Sequence, residues 1–407
     1  SEHVLEVAKL AQRLDMFHFS TNILSRAVGD IENCDNQEYL AEYASSIASQ
    51  GNYREAQDIF DSLSNQILDE YSFQYVDCLM KQWNYLKVKN HLLSVDISDL
   101  KNYHNVVLNL NLAATFVELE EFDKGLELLD QLLVISKQNR YGLVYGNCLE
   151  IKGQIFFQLG EFKKALELFE QSEKKIKKSK SLSWLYSKKW KILTQLYIDG
   201  PTESNSSLLS ELQAEARRYH HWETLRDCDF HVAKILEDEH LLQKCFYGTP
   251  SNFFRDKIIK KFNLDTPPSN HVKFGELGNR YRIDLEKGEL VGFELDIKPG
   301  ERTHLLLFSL LRDLYRPASV YDIFFIINDG QHFNPNSSNQ VIYKAIKKIK
   351  KEMLKGPGKW EITSNRKYGY RLRVFRDYQV NYPKGLTIDS VSKELVLLTQ
   401  HFNQDLF

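Results

Sequence analysis

The pattern of apolar and polar positions separates a long helical part of the chain from a shorter part that contains strands. In the helical part, four segments share one spacing: an aromatic residue, a slim residue three positions later, and a large apolar residue four positions after that. The aromatic positions are Tyr53, Tyr85, Phe122 and Phe162; the slim ones are Ala56, Val88, Gly125 and Ala165; the large ones are Phe60, Leu92, Leu129 and Phe169. A further slim residue precedes each segment, at Ala44, Val76, Ala113 and Gly153. Because large and slim residues alternate in this way at a long period, the pattern predicts stacked helix pairs.

These segments resemble the tetratricopeptide repeat. The fullest copy consists of Gly153, Phe156, Gly160, Phe162, Ala165 and Phe169. The resemblance implies an all-α helical-repeat solenoid over residues 1–248, whose curved groove would bind a protein or an extended peptide. By the repeat register, Asn147, Glu150 and Gln154 would line that groove, although any single one of them is more often an ordinary solvated position of a helix.

A connector follows the helical part. Gly248-Thr249-Pro250-Ser251 ends the repeats, Phe253–Phe262 reads as a short basic amphipathic helix, and residues 265–270 are rich in proline and polar residues. Proline removes backbone freedom and a hydrogen-bond donor, so the last stretch predicts a stiff linker. We therefore place a connector at residues 249–271.

From residue 272 the pattern changes to short runs separated by turn residues, which predict strands. These runs are Val272–Leu277, Tyr281–Leu285 and Glu289–Leu295. Two helices are predicted next, the first from Pro299 to Leu314 and the second from Ser319 or Tyr321 to Ile327. An α+β domain over residues 272–376 follows from this order.

The stretch 336–374 combines a basic helix with a basic hairpin. Helical spacing places Ile342, Ile346, Ile349 and Met353 on one stripe and lysines on the other faces, and Gly356-Pro357-Gly358 ends the helix. Ile362–Val374 then reads as a hairpin with a basic tip. Residues 330–376 contain 12 Lys and Arg against 2 Asp and Glu, although the whole chain has a formal net charge of −2. Such asymmetry suggests that this segment faces a polyanion, whereas the alternative is a solvated helix face.

Residues 272–374 resemble the winged-helix DNA-binding domain of the OmpR/PhoB family of response regulators. Three motifs carry the resemblance, and they occur in the family's order. They are Ile297-Lys298-Pro299-Gly300-Glu301 with Leu305-Leu306, Ile346–Met353, and Ile362–Leu372 with its closing Gly369-Tyr370-Arg371-Leu372. The second motif has lysine where the family has arginine, which weakens bidentate readout of guanine.

The resemblance implies a set of DNA-binding residues. Tyr343, Lys344, Lys347 and Lys348 would face the major groove, and Lys350, Lys351 and Lys355 would contact phosphates. Arg366 would lie in or near the minor groove, with Lys367 beside it at the hairpin tip. Gly369 and Tyr370 are interpreted as structural.

Two other clusters have competing interpretations. Residues 174–191 combine lysines with Trp184, Tyr186 and Trp190, which could extend a nucleic-acid surface but more often form a core flanked by solvated lysines. The second cluster has the spacing of metal ligands, but no second cysteine pair accompanies it, so we expect no metal and no cofactor. It consists of His220, His221, Cys228 and His231.

Composition narrows the class of protein. Five scattered cysteines without a C-x-x-C pair favour a reducing compartment, and the apolar runs are too short to span a bilayer. The N-terminal stretch reads as an amphipathic helix rather than a secretory signal. No phosphate-binding loop or nucleophile constellation is visible, so we expect a cytoplasmic protein that is not an enzyme.

The sequence thus predicts a multidomain protein of α and α+β class: a tetratricopeptide-like solenoid followed by an OmpR/PhoB-type winged helix. The expected function is a bacterial transcription regulator that binds double-stranded DNA and senses a protein or peptide ligand at the repeats. The alternative is an adaptor whose winged helix binds protein. Residues 377–407 are interpreted as a tail in which Thr387–Gln400 could form a short helix that packs back or makes a homodimer contact.

Overall fold

The structure is a computed structural model, and its described residues form two compact units. Placement is described for residues 2–29, 31–177, 181–275, 281–293, 297–298, 300–328, 333–334, 337–353, 360–365, 368–375 and 377–383. One unit combines Ser1–Leu68 with Glu239–Phe407, and the other is Asp69–Asp238. The predicted repeat region 1–248 is therefore divided between the two units.

Helices form the N-terminal part of the first unit and the described part of the second. The first four are α1 (Glu2–Arg13), α2 (Phe17–Val28), α3 (Gln37–Ala48) and α4 (Tyr53–Ser62), with a 3₁₀ turn at Ile31–Asn33. Helix α5 (Asn65–Glu70) spans the division between the units. The second unit contains α6 (Ser72–Met80), α7 (Tyr85–Ser94), α8 (Tyr103–Glu118), α9 (Phe122–Gln138), α10 (Gly142–Gln158), α11 (Phe162–Ile176), α12 (Trp184–Asp199), α13 (Glu203–Arg218) and α14 (Trp222–Leu236).

The repeat pattern corresponds to helix pairs in a helical array. Each of the four aromatic residues that mark the pattern is the first residue of a helix, namely α4, α7, α9 and α11. The slim and the large positions are buried, because a large side chain from one helix fills the space that a slim residue leaves in its neighbour. The clearest case is Gly153 of α10, where an added Cβ atom would lie 2.6 Å from Cε1 of Phe169 in α11.

Replacing Gly153 with alanine should therefore destabilise the second unit by about 1–3 kcal/mol, because the added methyl group overpacks the α10–α11 interface. Phe169 stacks on Trp190, with ring centroids 6.1 Å apart, so its ring has little room to move. Urea unfolding followed by tryptophan fluorescence measures the change. Gly142→Ala is the matched control, because nothing lies within 4 Å of its added Cβ atom; equal losses in both variants would contradict the packing argument.

The C-terminal part of the first unit contains both helices and strands. Its elements are α15 (Glu239–Tyr247), α16 (Asn252–Phe262), β1 (His271–Phe274), β2 (Arg282–Asp284), β3 (Glu289–Val291), α17 (Arg302–Leu311), α18 (Val320–Ile327), α19 (Ser338–Met353), β4 (Trp360–Asn365), β5 (Gly369–Val374) and β6 (Tyr378–Asn381). Each strand and helix that the sequence predicts between residues 272 and 374 has a counterpart here. The described fold is thus α in one unit and mixed α and β in the other.

The small mixed sheet extends beyond the predicted end of the domain. Its strand order is β1-β6-β2-β3, in which β6 pairs antiparallel with β1 and parallel with β2. Strand β6 lies after residue 376, inside the segment that the sequence analysis interprets as a tail. The helix predicted at Thr387–Gln400 lies outside the described residues.

Candidate nucleic-acid interface

Helix α19 has an apolar face and a lysine face on opposite sides. Ile342, Ile346 and Ile349 are buried against α17 and α18, since they recur every three to four residues. The exposed lysines recur with the same period, half a turn away. They are Lys344, Lys347, Lys348 and Lys351, which we call the lysine face. The burial of one side thus holds four positive charges toward solvent on the other.

The remaining predicted DNA-binding residues occupy different environments. Tyr343 lies on the flank of α19 with 58% of its surface exposed, and Lys350 is half-buried. Lys355, Arg366 and Lys367 lie outside the described residues.

The β4–β5 hairpin is attached to the segment before α18. Backbone groups of Ala318 and Tyr370 exchange two hydrogen bonds, with N···O distances of 2.8 and 2.9 Å. Gly369 allows this approach, because it has φ +107° and an added Cβ atom would lie 2.0 Å from the Ala318 carbonyl oxygen. The Arg371 guanidinium donates to the Leu314 carbonyl oxygen at 2.9 Å. The hairpin therefore has a fixed position beside α19.

A tyrosine pair connects the hairpin to α19. The phenol group of Tyr343 lies close enough to that of Tyr370 to interact with it electrostatically. Burial, together with this neighbouring phenol, raises the pKa of Tyr370 to about 12. The Tyr370 ring is therefore neutral at physiological pH.

The N-terminal helices pack on α18, which the sequence analysis did not predict. The Tyr321 hydroxyl donates to Oε1 of Gln50 at 3.0 Å, and the Arg54 guanidinium lies 3.2 Å from the centroid of the Phe325 ring. A signal was present in the sequence, because α18 is apolar on nearly every side. A helix of that kind needs cover on both faces, and residues 1–68 provide the second cover.

A cleft of about 470 Å³ lies between these packed elements, all within the first unit. Its walls come from α2, the turn after α3, the start of α18, the first turns of α19 and the β4–β5 hairpin. The described lining residues include Asn22, Gln50, Tyr321, Tyr343 and Tyr368. The cleft therefore opens beside the N-terminal end of α19, next to the lysine face.

The second unit holds a separate cluster of charged side chains on the first helices of successive pairs. Lys189 of α12 is only 2% exposed and forms an ion pair with Asp227 of α14, with a 2.5 Å separation. Burial alone would lower the pKa of Lys189, but the interaction with Asp227 outweighs it and the pKa is raised. Glu150 of α10 lies close enough to interact with this pair electrostatically, and Glu118 of α8 interacts with Glu150.

Of the three predicted partner-binding residues, two are in contact. Nε2 of Gln154 donates to Oε1 of Glu150 at 2.6 Å, and Asn147 is half-buried one turn earlier on the same stripe of α10. Among the described residues, no cation lies within ion-pair distance of Glu150. Burial raises the pKa of Glu150 to about 7, although Lys189 and Gln154 act against that shift.

We expect the stability of the second unit to depend on the charge of Glu150. Its pKa of about 7 exceeds the ordinary value of 4.5, so the folded state binds the proton more tightly than the unfolded chain. The stabilisation that comes from this tighter proton binding is therefore largest below pH 4.5 and is lost as the pH rises toward 7. His221 acts in the opposite direction, because burial lowers its pKa from 6.5 to about 4.

The Glu150→Gln variant separates the two effects. We expect it to be more stable than the natural chain above pH 7 by on the order of 2 kcal/mol, with the difference vanishing in acid. Urea unfolding at a series of pH values measures this difference. Glu167→Gln, at an exposed position of α11, is the control; a difference that does not change with pH would contradict the prediction.

The aromatic and cysteine clusters prove to be part of the helix core. Trp190 and Cys228 are buried in one apolar cluster of the second unit, and Lys189 is buried with them rather than solvated. Within the described part of the chain, no three His, Cys, Asp or Glu side chains come together as metal ligands. Among the helices of the described residues, none is long and apolar enough to cross a lipid bilayer.

Comparisons with known proteins add no relative. No family profile matches the chain, and no curated protein matches it in sequence. The functional interpretation therefore depends on the residues and geometry of this chain alone.

Proposed function

We propose that the chain is a DNA-binding transcription regulator whose residues 272–376 act as a winged helix of the OmpR/PhoB type. The order of elements supports this proposal, because α17, α18 and α19 are followed directly by the β4–β5 hairpin. In winged helices of this type the third helix enters the major groove and the hairpin reaches the neighbouring backbone. Here the hairpin is bound to the segment before α18 through Ala318 and Tyr370, and its strand β4 packs on α19.

The lysine face is the observation on which the proposal depends. Four exposed lysines lie on the side of α19 opposite its buried isoleucines, so they take no part in the described core. Lysines that neutralise phosphates release condensed counterions, and the affinity gained in this way falls steeply with salt. A solvated helix would more often alternate acidic and basic side chains, whereas α19 has Glu352 as its single acidic residue.

A binding assay on the full chain tests this function. A labelled duplex of random sequence is titrated by fluorescence polarisation at several salt concentrations. Because each of the four lysine charges can replace a counterion of the duplex, we expect the slope of log affinity against log salt to be about −3 to −4. Absence of duplex binding at low salt would contradict the proposal.

We propose further that the helical repeats are tetratricopeptide-like and control the DNA-binding region through a protein or peptide ligand. The stripe of Asn147, Glu150 and Gln154 on α10 is the proposed contact. A display selection of peptides on the full chain tests this step. Selected peptides should bind an Asn147→Arg/Gln154→Arg variant more weakly, and unchanged binding would exclude this stripe.

A second candidate is a protein-binding adaptor, and one observation favours it. Val7 and Leu10 of α1, with Leu14 directly after the helix, form an apolar stripe and have 45%, 56% and 62% of their surfaces exposed. Exposed apolar stripes of this kind often mark surfaces that bind another protein, which is what an adaptor needs. Duplex binding that is lost with the lysine face would decide for the regulator.

A further inference from the structure

We propose that the cleft of the first unit binds a planar, uncharged ring with hydrogen-bonding groups on its edge, of the nucleobase type. Its volume of about 470 Å³ falls within the range of small-molecule sites. This proposal concerns the pocket beside the lysine face and does not depend on the lysines themselves.

The walls of the cleft combine aromatic rings with side-chain amides. Its described lining residues provide rings from Tyr321, Phe333, Tyr343, Tyr368 and Tyr370, and amides from Asn22, Gln50, Asn339 and Asn365. Proteins that hold single bases stack them on aromatic rings and read their edges with hydrogen bonds. Amide groups suit this task because each has both a donor and an acceptor.

The charge of the lining selects against ionised ligands. None of the described lining residues is Asp, Glu, Lys or Arg. A phosphate or carboxylate group inside the cleft would lose its hydration and find no ionic partner among the described lining residues, which is costly. A neutral heterocycle avoids this cost.

The floor of the cleft is already ordered. The Tyr321 hydroxyl donates to Gln50, whose amide nitrogen donates to Thr21, and the Thr21 hydroxyl lies 2.7 Å from that of Ser46. The Tyr321 ring packs on Phe333, with centroids 4.4 Å apart. A preorganised site of this kind binds with little loss of side-chain entropy.

The mouth of the cleft provides a group that a ligand could use. Asn22 of α2 is exposed, and its side-chain amide has no hydrogen-bond partner among the described residues. Across from it, Asn339 and Tyr343 belong to the first turns of α19. An occupant would therefore connect residues 1–68 to the end of α19 that normally contacts base edges.

Two sources could supply such a ring: a free nucleoside, or a base displaced from a duplex. The full chain is titrated with adenosine, guanosine, cytidine and thymidine separately, by isothermal calorimetry. In a second arm, a duplex with one unpaired, bulged base is compared with its fully paired equivalent by polarisation. We expect saturable binding of at least one nucleoside, or tighter binding of the bulged duplex.

Asn22→Leu is the test variant and Asn90→Leu, at an exposed position of α7, is the matched control. We expect Asn22→Leu to weaken nucleoside binding at least about tenfold, or to abolish the preference for the bulged duplex. The reason is that the edge of the bound ring loses the Asn22 amide as its hydrogen-bond partner. Asn90→Leu should change neither. The proposal is overturned if neither arm shows binding, or if Asn22→Leu binds like the natural chain. If the natural chain binds a nucleoside but does not bind the fully paired duplex, the result counts against the regulator function and not against the cleft proposal.

Discussion

The Lys344→Ala/Lys347→Ala/Lys348→Ala variant is expected to bind duplex DNA about 100-fold more weakly than the natural chain at low salt. These side chains are exposed on one face of α19, so their removal leaves the isoleucine core intact. Each lost phosphate contact also lowers the salt slope by about one. The slope should therefore fall by about three, and the two changes should appear together in one polarisation series.

A matched triple variant separates local charge from net charge. Lys101, Lys137 and Lys163 are exposed positions of the second unit, and their replacement by alanine removes the same three charges. We expect this control to retain the affinity of the natural chain within about twofold, because these lysines do not belong to the proposed DNA-binding surface. If both triple variants weaken binding equally, the lysine face is not the DNA-binding surface.

The loss should be similar for all duplex sequences. Lysine is a point charge on a flexible stem, whereas arginine matches two acceptors of guanine at once. A face of four lysines therefore supplies affinity more readily than discrimination between sequences. Base reading, if present, would have to come from other groups at the N-terminal end of α19, where Tyr343 and Asn339 line the cleft.

The helix pairs could be predicted from the sequence because their causes are local. An aromatic residue, a slim residue and a large residue at fixed spacing specify which faces pack. The structure accordingly starts a helix at each of Tyr53, Tyr85, Phe122 and Phe162. The Ser319 cap of α18 is equally local, since its hydroxyl accepts from the Asp322 amide at 3.0 Å.

The pairing of distant segments could not be predicted from the sequence. Strand β6 is a four-residue segment, Tyr378–Asn381, whose pattern alone does not show that it pairs with β1, more than 100 residues earlier. The packing of residues 1–68 on α18 likewise joins segments that are far apart in the sequence. Gln50 and Tyr321 are 271 positions apart, and no periodicity connects them.

The candidate sites show the same limit. The lysine face follows from helical spacing, and the structure places those lysines at exposed positions. Lys189, in contrast, was expected to be solvated along with its neighbours, yet it is buried because Asp227, 38 residues later, neutralises it. The cleft could not be predicted from the sequence at all, because its walls come from five separate elements.

Gly369→Ala should produce the largest loss of stability among these substitutions, about 3–5 kcal/mol for the first unit. The added Cβ atom would lie 2.0 Å from the Ala318 carbonyl oxygen and 3.0 Å from the Cα atom of Ser319. Because both obstacles are backbone, neither can rotate away. The β4–β5 hairpin must therefore separate from Ala318 and lose the two backbone hydrogen bonds.

Comparison with Gly160→Ala separates the steric clash at Gly369 from the cost of placing alanine at a positive φ. Gly160 also has a positive φ, +78°, but nothing lies within 4 Å of its added Cβ atom, so we expect a loss of only about 1 kcal/mol. Urea unfolding gives both losses, and hydrogen exchange at the Ala318 and Tyr370 amides shows whether the hairpin has separated. Protected amides together with equal losses would contradict the clash. If the hairpin does separate, the Tyr343–Tyr370 contact is lost with it, and both the proposed DNA surface and the cleft lose one wall.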